Sequence, residues 1–151
     1  RQMCIRDSAG ILFNGIFDKY PRARFGFLEA GSGWLLTCYE RFDGSYASHI
    51  PYDPNGRFLR LRNSESVGDY IRRNIEEDRI FVGVEGDEAT IPYAIDLVGS
   101  KPFIFSSDFP HEVNNTTCKA EIEELRENNR LTSEDKENIL YRNAIRFYGL
   151  N

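Results

Sequence analysis

Short apolar runs alternate with longer stretches of helical spacing along most of this chain. Residues 24–29 (RFGFLE), 80–85 (IFVGVE) and 103–107 (FIFSS) are brief, aromatic or β-branched runs of strand type. Between them apolar positions recur three and four apart. Ile11, Leu12, Ile16 and Phe17 predict a helix that Tyr20-Pro21 ends, and Trp34, Leu35, Cys38 and Phe42 predict another over 34–42. Residues 67–74 and 88–98 are predicted helices as well. Toward the end of the chain Thr132 and Asp135 form a capping-box pattern. Leu140, Ala144 and Tyr148 follow at four-residue intervals with Ile145 beside them, and Gly149 suits a left-handed stop. "AGSG" after the first run and "DPNG" at 53–56 are turn signals.

Three strands, each followed by a helical segment, predict an α/β fold with parallel pairing and helical crossovers. A doubly wound open sheet and an arc of a (β/α)8 barrel both satisfy this pattern. Both deliver functional side chains at the carboxyl ends of strands. Glu29, Glu85 and Asp108 stand at such ends, although an acid there equally suits capping the next helix. Asp108 opens the turn "DFPH", and His111 lies three residues on, so the two can face one site or the histidine can simply be solvated. Leu36 occupies the place where a dinucleotide fingerprint starting at Gly31-x-Gly33 needs a third small residue, so those glycines read as a tight turn. His49 falls in a polar excursion and is expected to be exposed.

Composition narrows the classes. The 151 residues suit one domain, with 40% hydrophobic and 28% charged residues as in ordinary globular chains. A net charge of −5 leaves no basic footprint for nucleic acid, and no run approaches the ~18 apolar residues of a membrane span. Cys4, Cys38 and Cys118 match no metal spacing; scattered thiols without a secretion signal point to the cytoplasm. The two Asn-x-Thr matches at Asn114 and Asn115 are then expected to be coincidental. Residues 1–8, "RQMCIRDS", reproduce the translation of AGACAGATGTGTATAAGAGACAG plus one base. That string contains the mosaic end used in transposase-based library preparation, so these residues are expected to be adapter-derived and the genuine chain to occupy residues 9–151. A catalytic metal centre needs about three protein ligands and an open position, and two histidines cannot supply a histidine-rich one.

"GIFDKYPRARFGFLEAGSGW", "YERFD", "DYIRRNI", "VEGDE", "FSSDFPH" and "NAIRFYGL" occur in this order from about Ile11 to Leu150. Together they resemble the C-terminal part of the amidohydrolase-related family, the metal-dependent hydrolases and decarboxylases that include aminocarboxymuconate semialdehyde decarboxylase. The resemblance implies a distorted (β/α)8 barrel in which the three runs are strands six to eight. It implies that Asp108 ligates a divalent metal ion, zinc foremost, and takes a proton from its bound water, and that His111 orders the loop or contacts substrate. The family's His-x-His pair on strand one and ligand histidine on strand five would fall upstream of Ile11. Where a strand-six histidine often stands, this chain has Glu29 or Ala30, so Glu29 is either a second carboxylate beside the metal or a helix cap. The implied activity is hydrolysis or decarboxylation of a small carbonyl- or carboxylate-bearing substrate. The parent is expected to be a cytoplasmic homodimer and this chain alone inactive. The alternative is a small α/β binding module without catalysis.

Overall fold

In a computed structural model, which describes residues 2–111 and 113–150, strand β2 (Ile80–Val84) is buried along its whole length. It pairs in parallel with β1 (Phe25–Phe27) on one side and β3 (Phe103–Phe105) on the other. The register sets Phe27 level with Val82 and Val82 level with Phe103. Because side chains alternate across a strand, Phe27, Ile80, Val82, Val84 and Phe103 share one face, and all belong to the main apolar cluster. The opposite face carries Gly26, Phe81, Gly83 and Ile104. The architecture is the expected parallel α/β one.

Four helices build the layer over the first face or lead into it: α1 (Gln2–Phe13), α3 (Ser32–His49), α4 (Val67–Glu76) and α5 (Ile91–Val98). Helix α3 buries Trp34, Leu35, Cys38 and Phe42, the stripe its spacing predicts. Burial pushes the Cys38 thiol up to about 12, against a smaller opposing effect of its bond to Ser8, so it behaves as an inert core residue. Helix α4 starts at a capping box between Ser66 and Asp69 and buries Val67, Tyr70, Ile71 and Ile75. At the foot of the sheet the buried Arg79 guanidinium donates to the Phe17 carbonyl (2.7 Å) and to Asn74 Oδ1 (2.5 Å). Among the described residues no helix is long and apolar enough to cross a membrane. The side chains of residues 1–5, Cys4 among them, lie outside this description.

The first expected helix is in fact two. Asn14 and Gly15 break it, and α2 (Ile16–Lys19) restarts behind Gly15, whose φ of 60° is open to glycine at little cost. A helix absent from the sequence reading, α6 (Asn115–Glu127), begins at Asn114, whose side chain accepts from the Thr116 and Thr117 amides. The glycosylation-like motif is therefore a helix cap.

Thr132 and Asp135 cap α7 (Ser133–Glu137) as their spacing predicts, and Gly149 ends α8 (Asn143–Tyr148) at φ 66°. Between these helices, residues Asn138–Arg142 form a π turn. Its extra residue changes the buried phase: Ile139 and Asn143 are fully buried, whereas Tyr148 and Ile145 are exposed. The four-residue stripe expected from Leu140 is thereby displaced by one position. Asn143 Nδ2 donates to the carbonyls of Ser100 (2.8 Å) and Phe103 (2.6 Å), pinning α8 to the start of β3. Phe147 lies across the second sheet face, 5.1 Å from the Phe81 ring and against Gly26.

Two outcomes follow. Asn143→Ala removes the donor of the buried Phe103 carbonyl and leaves the Ser100 carbonyl only the Phe103 amide at 3.3 Å, and should cost about 2 kcal/mol in urea unfolding. Glu121 on α6 lies where Gly86 approaches the helix backbone, and its Oε2 is buried without a hydrogen-bond partner among the described residues. Burial, then Asp87, Glu85 and Glu124, raise its pKa. The charged form therefore burdens the folded state at neutral pH, and that burden disappears as pH falls through the raised pKa. Glu121→Gln should raise Tm by about 1–3 °C at pH 7, with the gain fading by about pH 4, read by thermal melts across pH.

Candidate metal centre at the strand ends

Strands β1 and β3 are separated by β2, which puts their axes about 9–10 Å apart. Side chains just beyond their ends meet only if a loop leans across the central strand. Gly83 permits this. A Cβ built on it would lie 3.1 Å from Leu28 Cα and 3.4 Å from Glu29 N, so the chain leaving β1 occupies the space a side chain would fill. Glu29 follows at φ 59°, and Asp108 beyond β3 has φ 55°. Such backbone is uncommon outside glycine and costs on the order of 1–3 kcal/mol per residue. Both residues that turn this way at the strand ends are carboxylates.

The result is one cluster. A ligand atom from each of Glu29, Asp108 and His111 lies within 4.8 Å of the other two. His111 Nδ1 is 2.8 Å from Asp108 Oδ1, and the His111 amide donates to the Asp108 carbonyl at 2.9 Å, closing the turn that carries both. The Phe109-Pro110 peptide inside that turn is cis. The Asp108 side chain is 26% exposed and that of His111 is 74% exposed, so the cluster opens outward from a partly covered aspartate. Donors around a zinc-sized ion at about 2.0–2.2 Å lie roughly 3–4 Å from one another. Two carboxylate oxygens and an imidazole nitrogen, gathered within 4.8 Å, are the donor types that suit a hard or borderline divalent cation once they close to that spacing.

Glu85, the third acid at a strand end, is not in that trio. It lines an adjoining pocket of about 230 Å³ with Glu29, Ala30, Gly31, Gly33, Glu88 and Thr90. Of the two glycines expected in a tight turn, Gly31, at φ 74°, makes the turn before α3 and offers no capping side chain, whereas Gly33 already lies in the first turn of that helix. Nor does Glu29 cap that helix. Glu88 does, accepting from the Ser32 amide at 2.6 Å and the Ser32 hydroxyl at 2.7 Å. Sequence reasoning passed over Glu88, for which the only local signal was an acid three residues beyond Glu85. His49 is exposed in the last turn of α3, its Nδ1 2.8 Å from the Ser45 carbonyl, away from this cluster.

A parallel α/β sheet that gathers carboxylates and an imidazole at its carboxyl edge defines a protein with its site where barrel and open-sheet enzymes carry theirs. The Amidohydrolase family model matches residues 2–150, and the chain belongs to that family. A curated relative, the 2-amino-3-carboxymuconate-6-semialdehyde decarboxylase of Dictyostelium discoideum, is 23% identical over 143 residues, covering 93% of this chain and 35% of the relative. A crystal structure of an amidohydrolase from Mycobacterium avium subsp. paratuberculosis K-10 matches with a TM-score of 0.68 at 18% identity. That match covers 95% of this chain and 32% of the crystallised one. The chain thus spans about a third of the length of both relatives.

If the trio holds a cation, its carboxylates carry the binding. Zinc titration by calorimetry should show weak saturable binding to the chain, reduced at least about tenfold by Asp108→Asn or Glu29→Gln. Unchanged binding in both variants would place the cation elsewhere.

Proposed function

We propose that this chain forms the sixth to eighth β/α segments of a distorted (β/α)8 barrel that acts as a metal-dependent hydrolase or decarboxylase on a small carbonyl- or carboxylate-bearing substrate. The observation that carries the reading is the convergence of Glu29, Asp108 and His111 beyond β1 and β3. Carboxylates brought this close repel unless protonated or neutralised, and a cation answers that repulsion directly. Family membership and the decarboxylase among the relatives support the reaction class. In this reading the remaining ligands are histidines on strands outside this chain, and zinc is the ion.

Each residue has a part in the chemistry. Asp108 and Glu29 would hold the cation through carboxylate oxygens. When bound, a divalent ion lowers the pKa of a coordinated water toward neutrality and polarises a substrate carbonyl or carboxylate. With Oδ1 of Asp108 engaged by His111 at 2.8 Å, Oδ2 is the oxygen that would face the cation, and the Oδ1–His111 pair is where a proton from a coordinated water would be received. His111, far more exposed than Asp108, orders the loop through its bond to Asp108 or contacts the substrate.

The test uses a protein in which the strands preceding β1 are present. Asp108→Asn preserves shape while removing the charge and the proton-accepting oxygen, so kcat should fall by at least about 10²-fold with the circular dichroism spectrum unchanged. Near-wild-type turnover would remove Asp108 from the reaction.

A further inference from the structure

Glu88 is not one of the clustered trio, yet both of its oxygens are committed to the segments that frame the site. Oε2 accepts from the Ser32 amide at 2.6 Å and the Ser32 hydroxyl at 2.7 Å. Oε1 accepts from the Glu85 amide at 2.9 Å. One carboxylate thus ties the loop after β1 to the loop after β2, across 56 residues of sequence. Ser32 is fully buried, and its hydroxyl lies 2.6 Å from that of Thr90, which fixes it from a second side. Gly31 completes the fit, since a Cβ there would sit 3.0–3.2 Å from the Glu88 carboxyl group.

The mechanical consequence concerns Glu29. Only residues 28–31 separate the end of β1 from the start of α3. One end of that segment is fixed by the β1–β2 ladder, the other by Glu88. Glu29 stands between these anchors in a left-handed conformation that a loose loop would relax. An anionic acceptor at the amide end of an 18-residue helix is also favoured by the helix dipole, so the clamp is strong for a single side chain.

We propose that Glu88 is a positioning residue for Glu29, holding the β1–α3 loop so that the Glu29 carboxylate reaches Asp108 and His111. The proposal rests on the reading of that trio as a cation site. Groups that orient metal ligands typically alter affinity 10- to 100-fold when removed. Glu88→Gln keeps the shape but turns an NH2 toward one of three donors, so it breaks the clamp without emptying its space.

The experiment is a double-mutant cycle on the chain, titrated with zinc alone by calorimetry, beside hydrogen exchange of the 28–36 segment. Glu88→Gln should accelerate exchange there about tenfold and weaken zinc binding about tenfold. In a Glu29→Gln background the same change should weaken binding less than about twofold, because the side chain through which Glu88 acts is gone. Ser32→Ala, which removes one of the three bonds, should shift both readouts in the same direction by less and serves if Glu88→Gln does not fold. Binding unaffected by Glu88→Gln, or a deficit equal in both backgrounds, overturns the positioning role while the cation site stands. Zinc binding that is the same in the wild type, Asp108→Asn and Glu29→Gln overturns the site reading itself and the proposal with it.

Discussion

Two parallel ladders share one strand, and the rest of the molecule depends on that sharing. β2 is buried on both faces and paired on both edges, so it sets the height at which β1 and β3 end. Helices α3, α4 and α5 then have one apolar face to cover, which Phe27, Val82 and Phe103 supply. Because parallel strands all point the same way, their carboxyl ends open onto one rim. The candidate site is a property of the rim, assembled by the four-residue loop after β1, in which Glu29 is the second residue, and by the loop after β3, in which Asp108 is the third.

What could be read from the sequence was what local physics decides. The three strands are short apolar runs between turn residues, and each lies where its run predicts. The caps at Thr132 and Gly149, the α3 stripe and the coupling of Asp108 to His111 through one tight turn are likewise local. The misreadings share another cause. Helix α6 has one buried residue, Leu125, so it lacks an apolar stripe by which to recognise it. The π turn shifts the C-terminal phase because Asn143 is drawn to carbonyls 40 and 43 residues away. The approach of Glu29 over Gly83 and the Glu88 clamp join residues more than 50 positions apart, where periodicity carries no information. Fold class was therefore legible, and the candidate acids were too. Their juxtaposition was not, since it turns on the absence of one side chain and the reach of another.

The charge arrangement also organises the interior near the rim. Glu85, Asp87 and Glu124 surround Glu121 and raise its pKa after burial itself. Acids thus gather at the carboxyl edge of the sheet, while at the other end the buried Arg79 donates to the Phe17 carbonyl and Asn74 Oδ1 and pairs with Glu77 at 3.0 Å. The acids gathered at the rim give it a locally negative field that favours a cation.

The left-handed turns at Glu29 and Asp108 reach beyond the chemistry of the present side chains. A β-branched residue is nearly excluded from such backbone, and glycine, asparagine, aspartate and histidine enter it with least resistance. Asp108 belongs to that restricted alphabet, in which most of the non-glycine letters can bind a cation or a proton, whereas Glu29 lies outside it and is held in this backbone by its surroundings. Under random substitution the backbone at position 108 filters what is offered to the rim, so the geometry there biases the evolutionary search toward ligand chemistry before any selection on activity acts.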